Sequence, residues 1–170
     1  MNIKLEIPTL GDAKIIAEYA NNRNIWLNVT DSFPHPYFKE NAIDFINIIQ
    51  QQNPITTFKV LKDKKFVGFV GLMLKEGIYY KNAEIGYWIA EPFWRQGIAT
   101  EAVNLILKFA FETFKEIEKI YAKVYHTNIG SMRALEKNGF KKEAIHKKEA
   151  FKAGEFKDLH FFSIFREDFK

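Results

Sequence analysis

The sequence predicts an α+β fold in which a mostly antiparallel sheet of six or seven strands is covered by helices on both faces. Two observations predict it. Strand-like segments follow one another directly between residues 57 and 90 and again after residue 140, as in hairpins. Between them, a strand, a long amphipathic helix and another strand form one βαβ unit, whose two strands must run parallel. We expect one domain over residues 1–170.

Composition supports a globular domain and excludes several kinds of chemistry. At 170 residues, with 47% apolar and 27% charged residues, the chain can bury one core without metals or disulfides. It contains no Cys, which excludes disulfides, thiolate metal ligands and a Cys nucleophile. We expect no metal site. The N-terminus lacks a signal-peptide apolar run, and no stretch reaches the roughly 20 apolar residues of a membrane span, so we expect a cytoplasmic protein without a membrane partner.

The net charge does not indicate a nucleic-acid partner. The excess is +4, from 25 Lys and Arg against 21 Asp and Glu, which aids solubility or steers an anionic ligand. The densest basic stretch, residues 141–152, is interrupted by Glu143 and Glu149. This pattern favours a solvated hairpin face over a groove that tracks phosphates.

The elements are predicted from periodicity and from capping residues. Thr9 and Asp12 resemble a capping box, with Asp in place of the usual Glu or Gln, and a helix with Ile15, Ile16 and Tyr19 on its apolar face follows. Asn138 and Gly139 form a helix stop. The predicted order is a strand at 4–7, the first helix, a loop at 28–37, a helix around 42–49, strands at 57–61, 65–72 and 83–90, a helix at 98–114, a strand at 120–125, a helix at 129–137, and strands at 140–146 and 157–165.

The junction between the strand at 83–90 and the helix at 98–114 is a candidate phosphate site. A strand, turn and helix in this order direct free backbone N–H groups and the positive helix end at one point. Gly97 lets the backbone approach a phosphate, Ala99 is small, and Arg95 and Thr100 add side-chain donors. An ordinary capped helix after a strand explains the pattern equally well. The G-x-G-x-x-G and G-x-x-x-x-G-K loops are absent.

Two motifs resemble the GNAT superfamily of acetyl-CoA-dependent acetyltransferases. The run from Pro92 to Ala102, PFWRQGIATEA, resembles the acetyl-CoA signature, with Trp94 where Arg or Gln is usual. The run from Asn128 to Phe140, NIGSMRALEKNGF, resembles the motif Asn-x-x-Ser…Glu-Lys-x-Gly-Phe of the Rim-type ribosomal-protein N-terminal acetyltransferases. The resemblance covers nearly the whole chain.

The resemblance implies a three-layer GNAT-like fold whose strands 84–90 and 120–125 splay apart at one end. Acetyl-CoA, as co-substrate, would lie between them, with its pantetheine bonded to the backbone of the first strand, and a β-bulge there would aim an N–H at the thioester carbonyl. The cofactor-binding residues it implies are Trp88, Ile89, Ala90, Arg95, Gln96, Gly97, Ile98, Ala99, Thr100, Asn128 and Ser131. Because the chain has no Cys, we expect direct transfer in a ternary complex.

The catalytic assignments leave alternatives open. Glu84 resembles the catalytic Glu of some relatives and is a candidate base, but a strand-end ion pair with Lys explains it equally well. Many relatives carry a Tyr acid where this chain has Leu135. Ser131 is the remaining candidate acid, or else a first-turn hydroxyl that satisfies the backbone. His126 is a surface residue or a base.

The acceptor is expected to be a primary amine, either a protein N-terminus or a small molecule. Aromatic residues concentrated after the first helix, namely Trp26, Phe33 and Tyr37, are the candidate substrate contacts. The alternative function is a non-catalytic acyl-CoA-binding regulatory domain of the same fold, which the loss of Tyr at Leu135 favours. We expect a monomer or homodimer and no direct contact with nucleic acid.

Overall fold

Seven strands form one mixed sheet within residues 1–169, which the computed structural model describes. The strand order is β1-β2-β3-β4-β5-β7-β6. The β4–β5 pair is parallel, and the other five neighbouring pairs are antiparallel, which confirms the predicted α+β class. The strands are β1 (Ile3–Glu6), β2 (Thr57–Lys62), β3 (Lys65–Leu74), β4 (Asn82–Ile89), β5 (Lys119–Tyr125), β6 (Lys141–Lys152) and β7 (Glu155–Phe165).

Helices cover both faces of this sheet and divide the core in two. One apolar cluster joins α1 and α3 to Phe66 and Phe69 of β3, and the other joins α4 and α5 to the opposite face. Each fully buried large side chain stabilises the fold by about 1.5–3 kcal/mol. The helices are α1 (Ala13–Ala20), α2 (Arg23–Trp26), α3 (Lys39–Gln50), α4 (Ile98–Thr113) and α5 (Ile129–Lys137). None of those within residues 1–169 has the length and apolarity that a bilayer crossing requires.

The short helix α2 was not predicted, because four residues are too few to show a helical period. Its start depends on a cap instead: the Asn22 side chain accepts hydrogen bonds from the N–H groups of Asn24 and Ile25, at 2.8 and 3.1 Å. Such a cap typically contributes about 1 kcal/mol. The side chains of Asn22 and Asn24 also donate to Glu91, at 2.6 and 2.8 Å. The cap therefore holds α2 against the turn that precedes α4.

The hairpin β6–β7 is longer than predicted. The sequence pattern predicts that the first strand ends at residue 146, whereas β6 continues to Lys152. The pairing register shifts between His146 and Ala150, where Lys148 has a φ of 53°. Such a bulge breaks the alternation of inward and outward residues, which is the signal that sequence analysis uses.

The predicted capping pair at Thr9 is present at the entry to α1. The N–H of Thr9 donates to the Asp12 carboxylate at 2.7 Å, and Lys59 Nζ lies 2.9 and 3.1 Å from its two oxygens. Burial tends to raise the pKa of Asp12, but the hydrogen bonds from Thr9 and Lys59 outweigh it and lower the pKa below its ordinary value.

We predict that Asp12→Asn lowers the free energy of unfolding by about 1 kcal/mol at neutral pH. A carboxylate whose pKa is lowered by folding stabilises the protein above its unfolded-state pKa of about 4, and this contribution is lost as the pH falls through the folded value. The difference between wild type and variant should therefore shrink between pH 5 and the acid limit, in urea unfolding at several pH values. Glu18→Gln, on the exposed side of α1, is the matched control. An equal difference at every pH would contradict the prediction.

Candidate active site

The parallel strands β4 and β5 pair over three residues and then separate. Asn82, Ala83 and Glu84 lie opposite Lys119, Ile120 and Tyr121. Beyond this point β4 continues to Ile89 and β5 to Tyr125, with no further pairs between them. The predicted splayed strand pair is confirmed, and the strands open a cleft whose walls carry backbone groups.

The phase of β4 decides which backbone groups face this cleft. The carbonyl of Asn82 accepts from Lys75 N–H at 3.1 Å, and Ala90 N–H donates to Val67 O at 2.8 Å, so these residues point their backbone at β3. Because backbone direction alternates along a strand, Trp88 also points at β3, and its oxygen approaches Gly68. Tyr87 and Ile89 point at the cleft.

Two sequence predictions about β4 are therefore corrected. The backbone of Ala90 is occupied on both sides, since its carbonyl also accepts from Phe93 N–H at 2.9 Å, and the backbone of Trp88 belongs to the β3 pairing. Tyr87 and Ile89 replace them as the free edge. The expected β-bulge is not present either, since the pairing of β3 with β4 runs without a register shift from Leu74–Ala83 to Gly68–Ile89.

Trp94 closes the end of β4. Its indole N–H donates to the carbonyl of Ile89 at 2.6 Å. The carbonyl of Ile89 is therefore occupied, and its N–H is the backbone group that still faces the cleft. Trp94 stands where the acetyl-CoA signature usually has Arg or Gln. In this chain, its side chain connects the turn to strand β4. The indole is bonded internally, and the turn that follows is held in place by it.

The turn before α4 presents a row of unpaired N–H groups. Arg95 and Gly97 have positive φ values of 60° and 77°, a conformation that glycine adopts at no steric cost. The first intrahelical bond is that of Glu101 N–H to the carbonyl of Gly97, at 3.1 Å. Within the described residues, the N–H groups of residues 95–100 have no hydrogen-bond partner. Together with the positive end of a 16-residue helix, they form an anion-binding arrangement.

A cavity of about 570 Å³ joins this turn to the cleft and to the start of α5. Its charged lining residues are Arg95, Arg133 and Lys137, and the described lining includes no carboxylate. Arg133 and Lys137 were not predicted as site residues. Their spacing of four on the predicted helix at 129–137, which puts them on one helix face, was the available signal. The cavity is therefore electrostatically suited to a phosphorylated ligand.

All predicted cofactor-binding residues line this cavity except Ala90 and Gln96. The side chain of Gln96 accepts from Lys62 Nζ at 2.6 Å and donates to the carbonyl of Pro92 at 3.2 Å. It therefore holds the turn in shape, and only its N–H belongs to the unpaired row.

The start of α5 brings Asn128 and Ser131 to the cleft. Asn128 caps the helix, because its Oδ1 accepts from Ser131 N–H at 3.1 Å. The Ser131 hydroxyl lies 2.8 Å from the hydroxyl of Tyr87, which also lies 3.2 Å from the Ser131 carbonyl. Burial raises the pKa of Tyr87 to about 12, although its hydrogen bond with Ser131 opposes the rise, so this hydroxyl keeps its proton.

Tyr87 was not predicted as a site residue, although one signal was available. Tyr87 lies two residues from both Ile85 and Ile89, whose side chains pack in the α4 cluster, so the strand pattern alone places its ring on the α4 face of the sheet. Leu135, at the position of the usual Tyr, is fully buried in the same cluster. The phenol of this site therefore comes from β4 and not from α5.

Glu84 lies outside the cavity, on the opposite face of the sheet. Its carboxylate is 2.9 Å from Lys75 Nζ and 3.7 Å from Lys123 Nζ. The carboxylate is therefore engaged by two ammonium groups and does not line the cavity. Of the two alternatives for Glu84, the structure favours the ion pair.

His126 accepts a backbone hydrogen bond that defines its tautomer. Its Nδ1 accepts from Asp158 N–H at 3.1 Å, so the proton of the neutral ring is assigned to Nε2. Because Nδ1 is occupied and Nε2 carries the proton, the neutral ring offers no free lone pair. This geometry favours the structural alternative for His126.

The three predicted acceptor residues do not line this cavity. Tyr37 is buried, and burial together with Asp44 raises its pKa to about 12. Phe33 packs on Tyr37 and Trp88, with ring centroids 4.9 and 5.8 Å apart. Both aromatic residues therefore build the wall between the helical layer and β4.

Trp26 is engaged by the tip of the β6–β7 hairpin. Lys152 Nζ lies 4.1 Å from the centroid of its ring and donates to the carbonyl of Val29 and to Asp31, both at 2.9 Å. The Lys152 side chain is only 2% exposed. A desolvated cation over an aromatic ring is among the stronger side-chain contacts, so Lys152 fastens the hairpin to the segment after α2.

The sequence matches one family of known proteins over most of its length. The sequence profile described as "Acetyltransferase (GNAT) domain" matches residues 2–141. The probable N-acetyltransferase YjcK of Bacillus subtilis (strain 168) is 37% identical over 106 residues, which are 62% of this chain and 58% of that relative. The chain thus spans a little over half the length of this relative.

Solved structures resemble the fold over nearly the whole chain. The spermidine N-acetyltransferase from Vibrio cholerae, in complex with CoA and spermine, is 27% identical with a TM-score of 0.82, covering 98% of this chain and 96% of that one. The ribosomal-protein alpha-N-acetyltransferase RimL, in complex with coenzyme A, has a TM-score of 0.83 at 17% identity, covering 97% and 94%. The latter likeness shows the fold alone.

We predict that Lys152→Ala lowers the free energy of unfolding by about 2 kcal/mol, because it removes a desolvated cation–π contact and leaves the carbonyl of Val29 without its donor. Urea unfolding measures the loss, and faster amide exchange at residues 29–31 should accompany it. Lys147→Ala is the matched control, since Lys147 forms an exposed ion pair with Asp158 in the same hairpin and should change the stability by less than about 1 kcal/mol. Equal losses in the two variants would contradict the assignment.

Proposed function

The chain belongs to the GNAT family of acetyltransferases, and from that premise we propose that it transfers the acetyl group of acetyl-CoA directly to a primary amine. The main support is the cavity in which the unpaired N–H groups of residues 95–100, the cationic side chains and the free edge of β4 meet. Its volume of about 570 Å³ lies within the usual range for ligand sites. We propose that residues 1–170 form one domain. We also propose that the protein is cytoplasmic.

The N–H row is proposed to hold the diphosphate of acetyl-CoA. Backbone N–H groups at a helix start bind phosphate oxygens and need no side chain for it. Arg95 adds an exposed side-chain donor at the same turn. Arg133 and Lys137, on the neighbouring helix face, are assigned to the separate phosphate on the ribose, since both side chains are exposed and line the same cavity.

The cleft edge of β4 is proposed to bind the pantetheine arm. Tyr87 and Ile89 present backbone groups there, as a strand edge does when it accepts an added strand. An N–H of this edge is the candidate donor to the thioester carbonyl, where negative charge develops as the amine attacks. Asn128 Nδ2, free of the cap, is a further donor on the opposite wall.

The reaction forms a C–N bond and breaks the C–S bond. The amine nitrogen attacks the carbonyl carbon, the sulfur leaves as a thiolate and takes up a proton, and the nitrogen gives one up. Ser131 is the proposed proton donor to the sulfur, and its hydroxyl regains a proton from water, which takes up the proton that the amine loses. The Tyr87 and Ser131 hydroxyls lie 2.8 Å apart, and either can donate. When Tyr87 is the donor, the Ser131 proton is free to point into the cleft. With Glu84 in its ion pair, the amine proton passes to water.

The acceptor class is proposed from the relatives. One neighbouring structure is a spermidine N-acetyltransferase and another a ribosomal-protein alpha-N-acetyltransferase, and both substrates offer a primary amine. The competing proposal, a non-catalytic acyl-CoA-binding domain, is favoured by Leu135 but not by the Tyr87–Ser131 hydroxyl pair. Measuring release of free thiol from acetyl-CoA with a panel of peptide and small-molecule amines separates the two.

We predict that Ser131→Ala lowers kcat with the best amine of this panel by about 100-fold, the usual effect of losing a proton donor, with little change in the KM for acetyl-CoA. Tyr87→Phe should lower kcat less, and the double variant should resemble Ser131→Ala, because the two hydroxyls act as one unit. Additive losses in the double variant would show that Tyr87 does not act through Ser131. Unchanged kcat in Ser131→Ala would remove Ser131 from the mechanism.

We predict that replacing Arg133 and Lys137 together by Ala weakens binding of CoA by about 10-fold or more, since each removes a charge-assisted phosphate contact. Binding of 3′-dephospho-CoA should change by less than about twofold, because it lacks the phosphate assigned to these residues. Calorimetric titration of both ligands checks this. Lys108→Ala, on the exposed side of α4, is the control, and an equal loss for both ligands would place these side chains elsewhere on the cofactor.

A further inference from the structure

Two glycines of β3 are required by packing against a neighbouring strand. A Cβ on Gly68 would stand 2.1 Å from the carbonyl oxygen of Trp88, and a Cβ on Gly71 would stand 2.7 Å from Thr57 Oγ1. At these distances the neighbouring atoms would have to move. The fold therefore explains both glycines.

Gly86 of β4 is not explained in this way. The nearest atom to a Cβ built there is Met73 Cε, at 3.8 Å, which is an ordinary contact distance. Its φ is not among the positive values of this chain. Since glycine within a strand costs about 0.5–1 kcal/mol relative to alanine, the fold would tolerate, and even gain from, a side chain at this position.

The missing side chain would point at the mouth of the cleft. The side chains of Ile85 and Tyr87 pack toward α4, so alternation directs the Gly86 position to the other face, which it shares with Glu84 and Trp88. Gly86 is exposed and lies two residues beyond the last β4–β5 pair, that of Glu84 with Tyr121. The next residue, Tyr87, presents its backbone to the cleft.

A strip without side chains therefore runs across β3 and β4 beside the cleft, and the Thr57 side chain of β2 closes its far end. Gly86 lies directly opposite Gly71, so neither strand carries a side chain there. The strip is bounded at one end by the Glu84 ion pairs and at the other by Trp88, which packs among Phe33, Phe66 and Phe69.

We propose that Gly86 keeps open the passage by which the acceptor amine reaches the thioester, and that its missing side chain sets the steric limit on the acceptor. This inference rests on the proposed acetyl transfer. The cofactor occupies the α4 side of the cleft, and the strip lies on the opposite side, so both reactants meet at the gap beside Gly86. Amines whose nitrogen is on an unbranched carbon pass most easily. A side chain added at residue 86 would first exclude amines that are branched next to the nitrogen.

The test compares Gly86→Ala and Gly86→Val with wild type, using acetyl-CoA and pairs of amines that differ only in branching next to the nitrogen. We expect kcat/KM for branched amines to fall by about 10-fold in Gly86→Ala and further in Gly86→Val, with smaller losses for unbranched amines. The affinity for CoA and the thermal midpoint should not fall. Adding Met73→Ala to Gly86→Ala should recover part of the loss, because it removes the side chain closest to the new methyl group.

The outcomes separate this inference from the proposed function. Gly71→Ala is the control, since its clash with Thr57 should lower the thermal midpoint. If Gly86→Ala acetylates every amine as wild type does, or if its affinity for CoA falls as much as its activity, the passage is not at Gly86 while acetyl transfer stands. If wild type binds acetyl-CoA but acetylates no amine of the panel, the proposed function fails and the inference with it.

Discussion

The site depends on two adjacent parallel strands that stop pairing. A strand edge inside a sheet normally has both rows of backbone groups bonded, but β4 loses its partner after Glu84 while it still continues to Ile89. The two strands stay in place because each pairs with its other neighbour. β4 pairs with β3 along its length, and β5 pairs with β7 along its length. An open cleft in the middle of the sheet is therefore held in place by the strand pairs on either side of it.

The cofactor side of this cleft combines backbone donors with cationic side chains. Three side-chain hydrogen bonds position the N–H row at residues 95–100 without using its N–H groups. The Trp94 side chain donates to the carbonyl of Ile89, and the Gln96 side chain donates to that of Pro92. The Asn138 side chain donates to the carbonyl of Thr100 at 2.9 Å. The start of α4 is thereby fixed to the end of α5. An anion bound at the start of α4 meets donors that need little rearrangement, which lowers the entropic cost of binding.

The opposite side of the cleft is shaped mainly by packing. Of the aromatic side chains that the sequence suggests as acceptor contacts, Tyr37 lies in the core and Trp26 lies under Lys152. An ammonium group that is almost fully buried is stable only when its donors are satisfied, and Val29, Asp31 and the Trp26 ring satisfy it. The strip at Gly86 remains open beside the cleft. In our proposal, the absence of a side chain there controls how the acceptor amine enters.

Sequence alone determined the features that local patterns encode. The α+β class, the boundaries of α4 and α5, the cap at Thr9 and the turn at Gly97 follow from hydrophobic period, capping residues and glycine placement, which act over a few residues. The tertiary structure decided the rest. The strand phase that frees Tyr87 and Ile89 instead of Trp88 and Ala90 depends on which neighbour each residue faces. The Tyr87–Ser131 pair joins residues 44 apart, and Lys152 reaches a carbonyl 123 residues away. Such contacts exist only after the sheet has been assembled, because no local pattern records which distant side chain will lie opposite.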